Sequence, residues 1–253
     1  MDKTPRVEDL LKFDNTTVLV TGASGNIGGA IARRFAEAGA RIIAHSHQNV
    51  ASATDLVEAL GQGDVVNADL TDAAGVEDLV ASAAPDIVVN NAAVQPVQAL
   101  ADMSIDDWRH VLQSNLDSAF LMTQCAASYW RANMRGGSVV NIASIEGLDP
   151  APGHAHYATS KAALLMFTRA AALEYGGDGI RVNAVSPGLI FRDGIDQEWP
   201  EGVQRWQQKA PLKRLGVSND VADAVLFLAG PAARWITGIN LVVDGGMSSQ
   251  NKW

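Results

Sequence analysis

The stretch TVLVTGASGNIGGAIARRFAEAGA, residues 17–40, decides the fold of this chain. Its first five residues are β-branched or leucine, which is typical of a buried strand. Its last part is rich in alanine, with apolar residues at helical spacing, and predicts a helix over 26–38. Glycines separate the two elements, at Gly22, Gly25, Gly28 and Gly29. A strand, a glycine-rich turn and a helix, in that order, predict the first unit of an α/β fold with a parallel sheet.

The rest of the chain repeats this alternation of short apolar runs and alanine-rich amphipathic segments. The predicted strands cover 17–21, 41–45, 64–68, 86–90, 138–143, 180–186 and 240–244. The predicted helices cover 26–38, 50–60, 72–83, 104–134 with a break near Asn115, 156–175 and 218–229. Strands with few charges need helices on both faces, so the pattern predicts a doubly wound, Rossmann-type sheet of seven parallel strands. Ligands of such a sheet bind beyond the carboxyl ends of its strands.

Length and composition favour a single domain over 1–253, although two small domains would also fit 253 residues. Hydrophobic residues make up 47% of the chain and charged residues 19%, as in ordinary globular proteins. Neither an internal repeat nor a Pro/Gly linker divides the sequence. The alternation fails only at about 189–217, a segment too long for an ordinary connection, which we expect to form a lid over the site.

The charge pattern and the cysteine content limit the partners and the compartment. The net charge of −9 is spread over short clusters, which argues against a nucleic-acid partner. Cys125 is the only cysteine, so no internal disulfide can form; we expect a buried thiol in a reducing compartment. The charged segment 1–15 lacks the apolar core of a signal peptide, and no run reaches the roughly 18 apolar residues of a membrane helix. The sequence therefore predicts a cytoplasmic protein with no membrane partner, and it predicts no metal site.

The glycine-rich turn has two interpretations. Between a strand and a helix, it lets the backbone approach an anion closely, while the N–H groups of the first helical turn and the helix dipole face that anion. The same glycines would also fit a tight turn without a ligand. If the turn binds a phosphate, its contacts come from Gly22, Ser24, Gly25, Asn26, Ile27 and Gly28.

A second motif, SIEGLDPAPGHAHYATSK (144–161), carries groups suited to proton transfer. Tyr157 and Lys161 are four residues apart on a predicted helix and hence on one face. Tyrosine titrates at about pH 10, but a neighbouring cation favours the phenolate, so Lys161 is expected to lower the pKa of Tyr157. Ser144 directly follows a predicted strand, where its hydroxyl could bind a substrate oxygen. Asn115, inside a long helical segment, can exchange backbone hydrogen bonds for side-chain ones and hold a water.

Together these motifs resemble those of the short-chain dehydrogenase/reductase family. Its single-domain members carry T-G-x-x-x-G-x-G after the first strand, which Thr21, Gly22 and Gly28 match. Asn26 replaces the middle glycine, and because Asn tolerates a left-handed backbone the loop is expected to survive. Read as T-G-x-x-G-x-x-G, with Gly25 in the middle, the loop looks like that of the family's longer, two-lobed members. The chain length and the later motifs argue against that branch.

Further segments extend the resemblance over about residues 15–247. NNAAV (90–94) is similar to the family's N-N-A-G, with Ala93 in place of the glycine. NADL (67–70) is similar to the segment whose Asp, here Asp69, contacts the adenine ring. RVNAVSPGLI (181–190) is similar to the run that turns under the nicotinamide, and ITGINLVVDGG (236–246) to the last strand and its turn.

The resemblance implies an NAD(P)-dependent oxidoreductase that transfers a hydride between nicotinamide and a secondary alcohol or carbonyl. It implies a catalytic tetrad of Asn115, Ser144, Tyr157 and Lys161. Beyond the glycine turn, the implied cofactor contacts are Ser46, His47, Asp69, Leu70, Asn91, Ala92, Tyr157, Lys161, Pro187, Gly188 and Ile190. It also implies a homo-oligomer, a dimer or tetramer, built on the helices at about 104–134 and 156–175.

The choice between NAD and NADP depends on the end of the second strand, AHSHQ (44–48). NAD-selective sheets of this kind present an acid there, which binds the ribose hydroxyls. Ser46 occupies that position and His47 follows, so no carboxylate repels a 2′-phosphate. The Arg that often binds that phosphate is also missing. The sequence leans slightly to NADP.

The favoured substrate is a small polar molecule such as a sugar, a polyol or a sugar acid. Arg192 could bind an anionic substrate, and a salt bridge to Asp193 or Glu198, or contact with the phosphates of the cofactor, is at least an equal alternative. In the lid, the spacing from Trp199 to Trp206 predicts one apolar stripe on a short helix. The candidate substrate contacts are Ser144, Gln95, Glu146, His154, Arg192 and Trp199.

Two other functions stay open on the sequence. A regulator would keep the fold and bind NAD(P) without turnover, and it would be free to lose the tyrosine or the lysine. A lyase is also conceivable, because the halohydrin dehalogenases resemble this family. They lack a dinucleotide loop and carry Arg in place of the lysine, so the glycines and Lys161 count against that function.

Overall fold

The computed structural model describes residues 4–250, in which seven strands form a single parallel sheet. The strands are β1 (Thr17–Val20), β2 (Arg41–Ser46), β3 (Asp64–Asn67), β4 (Ile87–Asn90), β5 (Gly137–Ile142), β6 (Ile180–Pro187) and β7 (Asn240–Val243). Their order across the sheet is β3-β2-β1-β4-β5-β6-β7, and every neighbouring pair is parallel. The predicted doubly wound sheet is confirmed.

Helices connect the strands. They are α1 (Asn26–Glu37), α2 (Val50–Leu60), α3 (Ala73–Ala83), α4 (Ile105–Leu112), α5 (Ser118–Ala132), α6 (Ala155–Tyr175), α7 (Ile195–Glu198), α8 (Pro200–Lys209) and α9 (Ser218–Ala229). The break expected near Asn115 is one turn of π-helix, Gln113–Asp117, between α4 and α5. Over residues 4–250, no helix combines the length and the apolar character needed to cross a bilayer.

Alternate residues of β1 pack into two apolar layers, one on each face of the sheet. Val18 and Val20 belong to the cluster that includes Phe35 of α1, and Leu19 belongs to the cluster that includes Trp130 of α5. All three β1 side chains are completely buried. Burying each such side chain contributes roughly 1.5–3 kcal/mol, so both faces of the sheet must be covered by helices.

The direction in which successive strands are added across the sheet reverses between β1 and β4. From β1 the chain moves outward to β2 and β3, and it then returns to β4 on the other side of β1. The two crossovers diverge there and leave a crevice at the carboxyl ends of these strands. Thr21 and Asn91, which follow β1 and β4, meet at this point through the bond from Asn91 N to Thr21 Oγ1 (2.9 Å).

The segment 189–217 contains two helices, α7 and α8, rather than one. The prediction that Trp199 begins an apolar helical stripe is wrong. Trp199 lies between the two helices with φ −144° and ψ 57°, because the residue before a proline, here Pro200, is driven out of helical geometry. Its ring packs over Gly202, and the residue stays 42% exposed.

Cys125 was expected to be buried, and the structure places it half-buried on α5, against the second apolar cluster. Partial burial raises the pKa of its thiol. The side chain acts as a small apolar group at the margin of that cluster.

Trp130 is the side chain whose loss should cost this core most. Its ring is fully buried, its Nε1 donates to Pro85 O (2.6 Å), and a Cβ on Gly137 would lie 2.4 Å from the ring. We expect Trp130→Ala to lower the free energy of unfolding by about 3–5 kcal/mol in urea denaturation. The matched control is Trp235→Ala, since Trp235 is 98% exposed, and its effect should stay within about 0.5 kcal/mol. Equal losses in the two variants would contradict this account of the core.

Candidate active site

The four residues of the predicted tetrad converge at the carboxyl edge of the sheet. Ser144 follows β5, Tyr157 and Lys161 lie in the first turns of α6, and Asn115 lies in the π turn. The Ser144 and Tyr157 hydroxyls share a hydrogen bond, and Lys161 Nζ lies 5.6 Å from the centroid of the Tyr157 ring. Asn115 reaches α6 through a hydrogen bond from its Nδ2 to Ser160 Oγ (3.2 Å). Elements far apart in sequence thus build one polar cluster.

Tyr157 does not have the lowered pKa that the sequence predicts. The residue is only 8% exposed, and burial raises the pKa of Tyr157 to about 12. The hydrogen bond with Ser144 lowers this pKa and the charge of Glu146 raises it, both by less than burial does. The expectation rested on the charge of Lys161, and it is wrong for this structure because desolvation of the phenolate is the largest cause of the shift and Lys161 is not among the causes.

Lys161 is itself buried, and its charge is not among the causes of the shift in the pKa of Tyr157. It is 2% exposed, and its Nζ donates to Ile142 O, the last residue of β5, at 2.8 Å. Burial lowers the pKa of Lys161 to about 8. The amine is therefore charged at pH 7 and close to losing its proton, whereas an exposed lysine would stay charged to about pH 10.

Asn115 uses its amide to hold the chain that follows β4. Its Oδ1 accepts from Val94 N (2.8 Å) and its Nδ2 donates to Val94 O (2.9 Å), the pairing that a neighbouring strand would make. The residue is 1% exposed. The widened π turn brings this amide within reach of Val94 and Ser160 together, so the loop after β4 is fixed relative to α6.

The glycine turn is closely packed. Gly22 has φ +64°, a conformation that side chains resist, and a Cβ on Gly28 would lie 2.3 Å from Gly22 O and 2.7 Å from Asn91 Nδ2. Asn91 Nδ2 also donates to Thr21 O (2.9 Å). Ala92 N donates to Thr21 Oγ1 (3.0 Å). Small residues are therefore obligatory where the turn meets the end of β4.

Asn26 does not use the left-handed backbone on which its prediction rested. It is the first residue of α1 and lies outside the positive-φ positions of the described chain. Its Nδ2 donates to Phe191 O (2.8 Å), which ties the glycine turn to the segment after β6. Gly25 precedes α1 in extended conformation and offers no side-chain cap, so the first-turn N–H groups stay available to an anion. Ile27 packs against the first apolar cluster.

The predicted contacts at the ends of β2 and β3 form a hydrogen-bonded rim. Ser24 Oγ and Ser46 Oγ are 3.2 Å apart. Asn67 Nδ2 donates to the carbonyl oxygens of Ser46 and His47, at 2.7 Å each. Asp69 accepts from Thr71 N and Oγ1, and these bonds lower the pKa of Asp69. Leu70 is buried in the second cluster.

The chain that leaves β6 packs against α8 of the segment 189–217. Gly188 N, directly after Pro187, donates to Val243 O (2.9 Å), and the Trp206 ring lies so close that a Cβ on Gly188 would be 2.8 Å from it. Ile190 forms a β-bridge with Gly216. Because the Trp206 ring lies so close, a residue larger than glycine does not fit at position 188.

Three of the predicted substrate contacts form one chain of hydrogen bonds. Gln95 Nε2 donates to Glu146 Oε1 (3.1 Å), and His154 Nδ1 lies 2.7 Å from Glu146 Oε2. The His154 ring is edge-on to Tyr157, with 6.0 Å between centroids. Arg192 and Trp199 do not join this group. Arg192 forms the alternative salt bridge, with Glu198, at the exposed surface.

His45 is a site residue that the sequence analysis missed. It is 1% exposed at the end of β2, and its Nδ1 accepts from Gly22 N (3.3 Å) while its Nε2 lies 3.0 Å from Ala68 O. Burial lowers the pKa of His45 and the Ala68 bond opposes that effect. One neutral imidazole therefore joins the glycine turn to the ends of β2 and β3. Position alone, next to Ser46, was the available signal.

The comparison with known proteins agrees with this geometry. A family model described as enoyl-(acyl carrier protein) reductase matches residues 22–248. The chain is 34% identical to glucose 1-dehydrogenase 2 of Bacillus subtilis over 243 residues, which cover 92% of this chain and 94% of that protein. It is 37% identical over 245 residues to an L-rhamnose 1-dehydrogenase (NAD(P)(+)) of Azotobacter vinelandii, with coverage of 91% and 96%. This chain belongs to the short-chain dehydrogenase/reductase family.

Solved structures of this family share the whole fold. One from Agrobacterium tumefaciens, assigned as a 2-deoxy-D-gluconate 3-dehydrogenase and carrying bound NADP, superposes with a TM-score of 0.90 at 30% identity, covering 96% of this chain and 100% of that one. The acetoin dehydrogenase of Enterobacter cloacae has a TM-score of 0.84 at 33% identity, with coverage of 94% and 97%. Membership of a short-chain dehydrogenase/reductase family confirms the predicted oxidoreductase class.

We expect His45 to affect the affinity of the glycine turn for a dinucleotide. His45→Asn keeps an acceptor near the Nδ1 position, whereas His45→Gln keeps a donor near Nε2 and loses the bond to Gly22. We expect the Asn variant to bind NADPH within about threefold of the parent and the Gln variant roughly five- to tenfold more weakly, the worth of one hydrogen bond. Fluorescence titration of NADPH measures both.

The same experiment has a pH arm. The lowered pKa of His45 lies below 6.5, so the parent's Gly22 bond is intact at pH 7 and fails on acidification below that pKa. His47 is the other titratable group acting on the ring. NADPH affinity of the parent should fall more steeply between pH 7.5 and 5.5 than that of the Asn variant. Equal weakening by Asn and Gln would refute the positioning role.

Proposed function

We propose that this chain transfers a hydride between the nicotinamide of NAD(P) and a secondary alcohol or carbonyl of a small polar substrate, a sugar, polyol or sugar acid. The observation that carries the proposal is the cluster at the start of α6, where the Tyr157 phenol bonds to the Ser144 hydroxyl beside the buried amine of Lys161. The relatives named for glucose and rhamnose support the substrate class.

The shape of the crevice supports a dinucleotide as cofactor. Gly22 and Gly28 leave the turn free of side chains, and Gly25 leaves the α1 N-terminus uncapped, which suits a pyrophosphate. The residues proposed to hold the phosphates are Gly22, Ser24, Gly25, Asn26, Ile27 and Gly28. Those proposed for the adenosine half are Ser46, His47, Asp69, Leu70, Asn91 and Ala92. Those proposed for the nicotinamide half are Tyr157, Lys161, Pro187, Gly188 and Ile190.

The protein's own groups would handle the proton and the substrate oxygen. The nicotinamide supplies the hydride acceptor or donor. Tyr157 takes the hydroxyl proton during oxidation and returns it during reduction. Ser144 donates to the substrate oxygen and holds it against Tyr157. Lys161 binds the nicotinamide ribose and adds positive charge, while Asn115 positions the loop after β4 and holds a water in line toward Lys161.

The pKa values of Tyr157 and Lys161 indicate at which pH reduction or oxidation of the substrate is favoured. With the pKa of Tyr157 at about 12, the phenol is protonated at pH 7 and ready to donate in a reduction. Oxidation needs the phenolate, whose population rises tenfold per pH unit below 12. Lys161, with a pKa of about 8, keeps its charge below pH 8 and loses it above. Reduction is therefore favoured near neutral pH and oxidation gains at alkaline pH.

Removal of the phenol tests the assignment. Tyr157→Phe should lower kcat by roughly 10²–10⁴-fold, because the proton no longer has a positioned donor or acceptor. Absorbance at 340 nm, with both cofactors and a panel of sugars, polyols, sugar acids, hydroxy acids and cyclic alcohols, measures turnover. NADPH affinity should stay measurable. The matched control is Tyr175→Phe at the far end of α6, which should keep parental turnover; undiminished turnover in Tyr157→Phe would overturn the proposal.

We propose a slight preference for NADP over NAD. The end of β2 offers Ser46, fully buried, and the exposed His47, with no carboxylate at either position to repel a 2′-phosphate. The bound NADP in the Agrobacterium relative supports NADP as admissible.

A carboxylate at His47 should reverse this preference. We expect His47→Asp to weaken NADPH binding by roughly tenfold or more, through repulsion of the 2′-phosphate, and to leave NADH binding within about twofold. His47→Asn is the neutral control and should change neither cofactor by more than about threefold. Binding titrations of NADH and NADPH give the ratios. Tighter binding of NADH than NADPH by the parent would contradict the preference.

We propose a cytoplasmic homo-oligomer, a dimer or tetramer. The single cysteine fits a reducing compartment. Large apolar side chains are exposed on the two helices implied in assembly, Phe120 (41%) on α5 and Met166 (60%) and Leu173 (85%) on α6. Such a face favours burial against another copy.

A further inference from the structure

The proposed substrate class includes both neutral and acidic sugars, and the groups around Tyr157 distinguish them. Glu146, His154 and Gln95 come from the turn after β5, the residue before α6 and the loop after β4. Their hydrogen bonds, Gln95 to Oε1 and His154 to Oε2 of Glu146, bring the three elements together. The Glu146 and His154 side chains are 17% and 15% exposed, whereas Gln95 is exposed.

Glu146 is a direct neighbour of the Ser144 and Tyr157 pair. Its backbone N donates to Ser144 Oγ (3.1 Å), the hydroxyl that bonds to Tyr157. The charge of Glu146 raises the pKa of Tyr157, which opposes formation of the phenolate. A carboxylate in this position therefore does not assist proton transfer in oxidation. Its role is instead sought in substrate binding.

Glu146 retains capacity for hydroxyl groups. An ionised carboxylate accepts about four hydrogen bonds, of which Gln95 and His154 supply two. His154 Nε2 is buried without a hydrogen-bond partner within residues 4–250, an unmet capacity that is costly in a folded protein. With Nδ1–H donated to the carboxylate, Nε2 of a neutral imidazole is an acceptor, so a substrate with hydroxyl groups next to the reacting carbon offers donors to both Glu146 and His154.

The surroundings offer little positive charge to an acidic substrate. Lys161 is buried and bonded to Ile142 O, and Arg192 is paired with Glu198 at the surface. The cavity next to Gln95, about 440 Å³, is lined by Gln98, Asp107 and His110 and by apolar groups, with no lysine or arginine among its lining residues. Hydrogen bonds from Ser104 and Gln98 lower the pKa of Asp107 to about 2, so this carboxylate is charged at every working pH.

We propose that Glu146, held by Gln95 and His154, binds a hydroxyl adjacent to the reacting carbon, so that the enzyme selects neutral sugars or polyols and rejects sugar acids. This inference rests on the proposed hydride transfer and narrows its substrate. Like charges a few ångströms apart at a partly buried site disfavour binding by roughly tenfold or more. Arg192 then has no role in substrate recognition.

The test compares substrates that differ only in charge. Initial rates at 340 nm are measured with a series of aldoses and alditols, the aldonates of the same carbon skeletons, and secondary alcohols without a neighbouring hydroxyl. The parent should show kcat/KM at least about tenfold higher for the best neutral polyhydroxylated compound than for its aldonate. Glu146→Gln should reduce that ratio to within about threefold, by lowering the neutral value and raising the acidic one.

Glu198→Gln is the matched control. It removes a carboxylate that bonds to Arg192 and is not among the proposed substrate contacts, and it should leave the ratio unchanged. NADPH titration and circular dichroism verify that each variant is folded.

Each contrary outcome has a separate meaning. A parental preference for aldonates, a ratio unaltered by Glu146→Gln, or activity confined to alcohols without a neighbouring hydroxyl overturns the inference and leaves the hydride transfer intact. A loss of aldonate activity confined to Arg192→Gln would also overturn it, by assigning acid recognition to Arg192. No turnover of any alcohol or carbonyl with either cofactor would overturn the proposed function itself.

Discussion

Burial of the sheet on both faces is the constraint on which the rest of this structure depends. The central strands carry mainly apolar side chains, and helices from both sides remove them from water. Polar groups that must meet a ligand are consequently confined to the ends of the strands. His45 follows from this constraint, as do Ser144 and the glycine turn, because each lies where a strand ends and its backbone partners are no longer used by the ladder.

The same burial determines the chemistry of the tyrosine and the lysine. A pair at helical spacing suggests mutual stabilisation of charge, but both groups lie almost entirely out of water, and each is pushed toward its neutral form. Desolvation is the largest cause of the shift in both pKa values. The Ser144 hydroxyl and the Glu146 carboxylate then adjust the phenol in opposite directions.

Much of this architecture could be predicted from the sequence, because strand composition and helical period are local properties. The seven strands and the break near Asn115 are of this kind. The direction of the shift in the pKa of Tyr157 could not be predicted, because it depends on how deeply the folded chain buries the phenol. Nor could His45, whose partners, Gly22 and Ala68, are each 23 residues away. The non-helical backbone of Trp199 could have been predicted from Pro200, which follows it.

The π turn at Gln113–Asp117 has a consequence for how this site tolerates change. A π turn holds one residue more than an α-helical turn, so deleting a single residue here would merge α4 and α5 into one regular helix. The merged helix would be more regular and would keep the flanking side chains on their present faces, yet the widened turn that carries the Asn115 amide would be lost. Asn115 would lose Val94, and the loop that carries Gln95 would lose its anchor. Length in this segment is thus under stricter control than composition: substitutions on its outer face are tolerable, while insertions and deletions are not.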